Sequence, residues 1–184
     1  MMALLADVTR TMPIMSLRLL LRPFQSEDIT DAYLAGLNDP EVVRWTEARH
    51  QAWTRANAAA YVNSHAESNT SCLFGMFVQD SQRHIGNILL SDIHPIHRRA
   101  ELALLISDRA SWSQGYGTEG VIAVTQWAFE SLGLHRISAG YFEENAGSAK
   151  LFAKAGYQVE GIFRDHGYVE GRWRHAVRVA KVRT

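Results

Sequence analysis

The stretch SWSQGYGTEG, residues 111–120, contains three glycines in the pattern G-x-G-x-x-G. This pattern is typical of loops that hold the diphosphate of a dinucleotide when they follow a strand and open a helix. The next residues do favour a helix, because apolar side chains recur over 118–132 at the spacing of one helix face. The sequence therefore predicts a glycine-rich helix entry, and the question is which ligand, if any, it binds.

Two familiar phosphate-binding loops do not fit this stretch. In a dinucleotide-binding fold the glycines follow the strand almost at once, whereas residues 107–114 separate Gly115 from the predicted strand end at Ile106. A nucleotide-binding P-loop needs a lysine and then Ser or Thr after its last glycine, but Gly117 is followed by Thr118 and Glu119. What remains is a helix N-terminus whose free backbone N–H groups attract a diphosphate, with the glycines leaving room for it. A glycine-rich entry without a ligand is the alternative.

The composition is that of a globular protein without a general charge bias. The 184 residues contain 19 Lys and Arg and 19 Asp and Glu, which disfavours nucleic acid or an anionic membrane as the partner. We expect one domain over residues 1–184, with 1–15 as an N-terminal extension. No apolar run reaches the roughly 18 residues of a membrane span, no signal peptide is recognisable, and the single cysteine, Cys72, lies in an apolar run. These features predict a cytoplasmic protein with a buried thiol.

Hydrophobic periodicity and turn signals predict the order β-α-α-β-β-β-α-β-α-β-β. Short, turn-rich links between the three middle strands favour antiparallel neighbours, and the helix after the glycine loop joins two parallel strands. The fold class is therefore α+β (α/β), with a mixed, mostly antiparallel sheet flanked by helices. The predicted strands cover 17–23, 72–79, 84–93, 99–106, 135–142 and two segments joined by a turn at YVEGR; the predicted helices start at Ser26, Thr54, Thr118 and Asn145.

Two linked segments resemble the GNAT superfamily of N-acetyltransferases. They are AELALLISDRASWSQGYGTEG, residues 100–120, and ENAGSAKLFAKAGYQVEG, residues 144–161. The first is similar to the family's Q/R-x-x-G-x-G/A signature, which binds the diphosphate of acetyl-coenzyme A, and the second to its N-x-x-S/A helix with the following strand. With LRLLLRPF at residues 17–24, the chain looks most similar to the branch of ribosomal-protein alanine N-acetyltransferases. The resemblance implies a GNAT-like fold and transfer of an acetyl group from acetyl-CoA to a primary amine.

The resemblance also implies which residues hold the donor. The backbone N–H of Leu105 would bind the thioester carbonyl, with Ile106 and Ser107 beside the pantetheine arm. Asn145 would contact the pantetheine, although an asparagine at a helix start is equally suited to be a plain N-cap. Lys150 would reach the phosphates or lie in solvent. The diphosphate itself would be held by Gln114, Gly115, Tyr116, Gly117 and Thr118.

Three residues are candidates for proton transfer. Glu101 lies fourteen positions before Gly115 (115 − 101), as the base glutamate does in histone-acetyltransferase relatives, and is the expected general base. Its alternative role is a solvent-facing carboxylate, or one paired with Arg98 or Arg99. Ser148 could protonate the leaving thiolate or serve the helix start, and His166 is an alternative base.

The chain departs from the family pattern in two places. Trp112 stands where the signature has Gln or Arg, and Phe152 stands where many members have a tyrosine that acts as general acid. A phenyl ring cannot donate a proton, so Phe152 keeps open the alternative of a non-catalytic acyl-CoA-binding module. An NAD-dependent oxidoreductase is disfavoured by the spacing given above.

The acceptor amine is not fixed by the sequence. A protein N-terminus, an amino-sugar nucleotide and a polyamine all remain open, and so do the monomer and the homodimer. Residues 44–50 (RWTEARH) lie in the region that faces the acceptor in the family, or form a surface loop. The spacing of Asp92, His94 and His97 resembles a metal motif, but it falls in a predicted turn without further ligands, and no metal is expected. The basic last strand is expected to have a solvated face.

Overall fold

The computed structural model describes residues 13–184. Its centre is one eight-stranded sheet with the order β1-β2-β3-β4-β5-β6-β8-β7. All neighbours are antiparallel except β5 and β6. The strands are β1 (Ile14–Met15), β2 (Leu19–Pro23), β3 (Cys72–Val78), β4 (His84–His94), β5 (Arg99–Leu105), β6 (Arg136–Phe142), β7 (Gln158–Val169) and β8 (Arg172–Val182).

Five α-helices cover the two faces of this sheet. They are α1 (Asp31–Leu37), α2 (Pro40–Val43), α3 (Arg55–Ala66), α4 (Tyr116–Glu130) and α5 (Ala146–Lys154), with 3-10 turns at Ser26–Asp28, Glu47–His50 and Arg109–Ser111. None of the helices in the described part of the chain combines the length and apolarity needed to cross a bilayer.

Two hydrophobic clusters follow from the sequence pattern. Helix α4 carries an apolar stripe, and its Val121, Val124 and Ala128 are fully buried against the sheet. On the opposite face, α1 and α3 pack Tyr33 and Val62 against β3. Because both faces are covered, β3 is apolar along its whole length instead of alternating.

The single parallel pair creates the opening that matters for function. Strands β5 and β6 pair only at Arg99–Arg136, Ala100–Ile137 and Glu101–Ser138. Beyond Glu101, β5 continues to Leu105 and β6 to Phe142, and each stays paired with its other neighbour. The two strands therefore diverge into a wedge whose inner edges carry free backbone groups. The parallel step across α4 agrees with the prediction.

Some boundaries differ from the prediction. Ser26 does not cap a long helix: Gln25 and Asp28 form the capping box of a 3-10 turn, and α1 begins only after Thr30, whose side chain accepts the Tyr33 N–H. Helix α4 begins at Tyr116, two residues earlier than expected. Of the predicted extension, residues 1–12 lie outside the described part, while Ile14–Met15 join the sheet as an edge strand.

Candidate active site

A cavity of about 650 Å³ lies at the wedge. Its wall is formed by the end of β5, the glycine loop, the first turns of α4 and α5, and residues 41–46. Of the predicted site residues, the wall contains Leu105, Ile106, Gly115, Tyr116, Gly117, Thr118, Asn145 and Ser148. A second hollow of about 660 Å³ lies on the other side of α4, against β1, and is mainly apolar. The wedge cavity is therefore the one that combines free polar groups with the predicted residues.

Backbone amides at the start of α4 form one end of the cavity. The first hydrogen bond of the helix runs from the Glu119 N–H to the Gly115 carbonyl at 3.0 Å, and no side chain caps the helix. Within residues 13–184 the N–H groups of Tyr116, Gly117 and Thr118 consequently have no acceptor. Three free donors at the positive end of a helix dipole form an anion site. We call residues Gly115–Thr118 the donor end of the cleft, because the resemblance implies that they hold the diphosphate of the acetyl donor.

The glycines of the loop serve two different needs. Gly115 has φ of 85° and is the N-cap of α4, a conformation that L side chains rarely adopt. Gly117 was expected to leave room for a ligand, and it does line the cavity, but the structure gives it a packing role as well. A Cβ there would lie 2.6 Å from Leu151 Cδ1 and 3.2 Å from Leu104 Cδ2, so Gly117 allows α4, α5 and β5 to pack closely.

A side-chain clamp fixes the donor end from the far side of α4. The Glu119 carboxylate accepts hydrogen bonds from Ser16 Oγ at 2.7 Å, Arg18 N at 2.6 Å and Arg18 Nε at 2.7 Å. Burial alone would raise the pKa of Glu119, but these hydrogen bonds outweigh it and lower the pKa below its usual value. Arg18 also donates to the Gln114 carbonyl at 3.1 Å, which fixes the loop just before Gly115.

The direction of the β5 peptide groups refines the prediction for the thioester carbonyl. The carbonyls of Arg98 and Ala100 face β6, since they accept from Arg136 N and Ser138 Oγ. Peptide groups alternate along a strand, and the Leu105 carbonyl accordingly lies against Gly86 on β4. By the same alternation the Leu105 N–H, which was predicted to bind the thioester carbonyl, faces β4. The N–H groups directed into the wedge are therefore those of Leu104 and, just beyond the strand, Ile106.

Trp112 fills the place of the expected Gln or Arg in the loop. Its indole Nε1–H donates to the Ile106 carbonyl at 3.0 Å, so the ring connects the loop to the end of β5. Two predicted cofactor residues are absent from the cavity wall. Ser107 is buried against Gly36 of α1, and the side chain of Gln114 turns back to the Ala110 carbonyl.

Helix α5 presents its first turn to the cavity. The Asn145 side chain caps the helix by accepting from Ser148 N at 3.1 Å, and its amide N–H₂ has no acceptor among the described residues. The Ser148 hydroxyl makes no hydrogen bond within residues 13–184, and Ser148 forms part of the cavity wall. Phe152 is 4% exposed and stacks on Tyr141 with ring centroids 6.0 Å apart, so it is a core residue.

Glu101 is not part of the cavity wall; it lies in the last residue pair before β5 and β6 diverge, and we call this closed end of the wedge the acceptor end. Its Oε1 accepts a hydrogen bond from Arg178 Nη1 of β8 at 2.7 Å. The partner is therefore neither Arg98 nor Arg99, and the expectation of a solvated face on the last strand fails for Arg178. The hydrogen bond that Arg178 donates to Glu101 raises the pKa of the Arg178 guanidinium.

Arginines and aromatic rings lie at another part of the cavity, where Arg44, Trp45 and Glu144 form its wall near the end of β6. Arg174 of β8 is only 3% exposed and donates to Glu144 Oε1 at 2.5 Å, while Arg44 donates to Glu170 Oε2 at 2.8 Å. The Trp45 ring lies 5.8 Å from Phe142, beneath the Arg44 guanidinium. Of residues 44–50, the first three thus line the cavity. Neither Arg174 nor Arg178 was singled out from sequence, although both share one face of β8 by alternation.

The remaining polar candidates lie elsewhere or have local roles. His94 Nδ1 accepts from His97 N at 3.1 Å within a turn, and residues 13–184 contain no group of three or more His, Cys, Asp or Glu side chains placed to hold a metal. His166 is exposed on β7 beside Phe163. Burial raises the pKa of the Cys72 thiol to about 12, so it is not a nucleophile.

Residues 18–158 match the family model described as the acetyltransferase (GNAT) domain. An uncharacterised N-acetyltransferase of Bacillus subtilis, YoaA, is 30% identical over 84% of this chain and 87% of its own length. The [ribosomal protein uS5]-alanine N-acetyltransferase of Escherichia coli is 28% identical over 65% of this chain and 61% of its own length. The predicted resemblance is confirmed.

Solved structures agree on the fold. The spermidine N-acetyltransferase of Vibrio cholerae, solved with CoA and spermine, superposes with a TM-score of 0.78 at 20% identity, over 90% of this chain and 95% of its own. The predicted α+β, GNAT-like architecture is therefore confirmed. The family match covers more than half of the chain and includes the β5 wedge, the glycine loop and α5. This chain belongs to the GNAT family of acetyltransferases, acyltransferases that use acetyl-CoA.

Proposed function

We propose that this protein transfers the acetyl group of acetyl-CoA directly to a primary amine in a ternary complex. The observation that carries the proposal is the arrangement of three features around one wedge: unpaired amides at the start of α4, the divergence of β5 and β6, and a carboxylate in the last residue pair where the wedge closes. The free N–H groups of Tyr116, Gly117 and Thr118 suit the diphosphate of the donor. The Asn145 amide is available to its pantetheine arm.

The reaction needs three kinds of assistance from the protein. The attacking amine must lose a proton, and Glu101 is the proposed base, directly or through a water. The new C–N bond pushes negative charge onto the carbonyl oxygen, which the N–H of Ile106 or Leu104 would stabilise. When the C–S bond breaks, the thiolate leaves, and the Ser148 hydroxyl is the proposed proton donor. Phe152 is buried in the core and plays no part in proton transfer.

We further propose a peptide N-terminal amine as the acceptor. A polyamine carries several positive charges and would need unneutralised carboxylates near the cleft. Here Glu101, Glu144 and Glu170 each have an arginine partner, and of the carboxylates in the cavity wall within residues 13–184 Glu41 is the one without an ion pair. The paired charges and the Trp45 ring suit an acceptor with one ammonium group instead. The lone buried Cys72 is consistent with action in the cytoplasm.

A thiol-release assay over a panel of amines tests the proposal. The panel contains an alanine-initiated peptide, spermidine and an amino-sugar nucleotide, and the peptide is expected to give the highest kcat/KM. Glu101→Gln should lower kcat by about 100-fold or more, since removal of a general base costs 10²–10⁴-fold. Glu67→Gln, at the exposed end of α3, is the matched control and should match the wild type. Full activity of Glu101→Gln would exclude it as the base.

A thiol signal that no amine stimulates would support the non-catalytic alternative. Calorimetry with CoA would still show binding in that case. If spermidine exceeds the peptide, the acceptor proposal fails while the donor proposal stands.

A further inference from the structure

Arg178 reaches Glu101 across a neighbouring strand. It lies on β8, where its cross-strand partners are Gly140 on β6 and Gly161 on β7. A Cβ added at Gly140 would lie 2.9 Å from Arg178 Nη1, 3.6 Å from Cδ and 3.7 Å from Cζ. The arginine side chain therefore lies flat over Gly140, and only a glycine there leaves its path to β5 open.

The side chain of Arg178 is also held on its other flank. Its Cζ lies 5.8 Å from the centroid of the Phe163 ring on β7, and the neighbouring Arg136 and Glu160 side chains neutralise each other. The guanidinium uses Nη1 for Glu101 Oε1 at 2.7 Å, whereas Glu101 Oε2 has no hydrogen bond within residues 13–184. One oxygen of the carboxylate is thus fixed and the other is free to accept a proton.

Stability alone gives little reason for this ion pair. The side chains of Arg178 and Glu101 are 26% and 37% exposed, and ion pairs at such exposure contribute little net free energy to folding. Orientation, in contrast, has a large effect on rate, because a misplacement of about 1 Å at a reacting group can cost roughly 100-fold.

We propose that Arg178 is a positioning residue that holds the Glu101 carboxylate at the closed end of the wedge, and that Gly140 is required for this contact. The inference rests on the proposed role of Glu101 as the base. It predicts that Arg178 acts on kcat through Glu101, with little effect on the binding of acetyl-CoA.

The two glycines beside Arg178 provide a matched pair of variants. Gly140→Ala places a methyl group against the guanidinium and displaces it, while both charged residues remain. Because the obstructed atoms are the end of a flexible side chain, the sheet itself need not move. Gly161→Ala adds the same methyl group on the opposite neighbour, where nothing lies within 4 Å of it. Circular dichroism melting controls for the fold of both variants.

Gly140→Ala is expected to lower kcat at least 10-fold, with the KM for acetyl-CoA and the Kd for CoA within twofold of wild type. Gly161→Ala should leave all three constants within twofold. Arg178→Lys should recover several-fold more kcat than Arg178→Met. In a Glu101→Gln background, Arg178→Met should cause no further loss, because residues that act through one another are not additive.

The results separate this inference from the proposed function. If Glu101→Gln lowers kcat but Gly140→Ala and Arg178→Met do not, the base stands and the positioning role is overturned. An additive loss in the double variant also overturns it, since Arg178 then acts by another route. If Glu101→Gln retains full activity, the base role of Glu101 and the positioning role of Arg178 both fail, while acetyl transfer itself stands.

Discussion

The two ends of the cleft are built by different means. The donor end, Gly115–Thr118, consists of consecutive backbone amides at one helix start. The acceptor end consists of side chains from β5 and β8, with Glu101 and Arg178 separated by 77 residues in sequence. A diphosphate is recognised by any correctly directed N–H groups, so a short motif suffices. An acceptor is recognised by side-chain chemistry, which varies while the fold stays the same.

The strongest test of this contrast is Gly115→Val. A β-branched residue at φ of 85° is strongly disfavoured, so the loop must rearrange and the amides lose their common direction. Because each hydrogen bond to a charged group contributes about 1.5–3 kcal/mol, the Kd for CoA should rise by about 100-fold or more. Isothermal calorimetry measures this change.

Gly133→Val is the matched control. Gly133 has φ of 64° with open space around it, just beyond the other end of α4. The same backbone strain there should lower the melting temperature without changing CoA affinity. Equal losses of affinity in the two variants would contradict a local role for Gly115.

Acid pH gives a second test, because it separates loss of the fold from loss of chemistry at either end. Burial among aromatic rings lowers the pKa of His84 to about 4 from 6.5. The unfolded chain binds this proton below about pH 6.5 and the folded protein only near pH 4, so stability falls as the pH drops through this window. At pH 5 the loss from this group is about 2 kcal/mol. Urea unfolding of wild type and His84→Phe at pH 7 and pH 5 measures it.

The difference between pH 7 and pH 5 should be smaller in His84→Phe than in wild type. A rate loss at pH 5 that this variant does not remove then belongs to the cleft. Identical pH dependence in the two proteins would show that His84 is not the responsible group.

The smallest effect is expected for Glu119→Gln. This variant tests whether CoA binding at the donor end depends on the side chains that hold α4 in place, as well as on the backbone amides. The variant weakens the contacts with Ser16 and Arg18 and should lower stability by about 1 kcal/mol and CoA affinity several-fold. Because the pKa of Glu119 is lowered in the folded state, its contribution is present above about pH 4.5 and is lost as the pH falls through the folded-state value. Chemical denaturation and calorimetry measure both effects.

Glu130→Gln, in the last turn of the same helix, is the control and should change CoA affinity less than twofold. An unchanged affinity in Glu119→Gln as well would make the donor end a purely local structure.

What could be predicted from sequence follows the same division. The order of most helices and strands along the chain, the parallel step across α4 and the amide site were predictable because they depend on local periodicity and on one helix start. The contact of Arg178 with Glu101 was not, because nothing local indicates which strands become neighbours in a sheet. The packing role of Gly117 was missed for a related cause: its close neighbours Leu104 and Leu151 come from β5 and α5.

The clamp on Glu119 has a consequence for how the molecule assembles. Its hydrogen bonds join residues 101 and 103 positions apart, so they close one of the longer loops of the chain. Contacts of this range form slowly, because chain entropy is lost before they contribute. The glycine motif spans ten residues, but its final geometry depends on contacts with the first strands of the sheet. A fragment that starts at β5 would contain the whole signature but lack Ser16 and Arg18, which hold Glu119 in place.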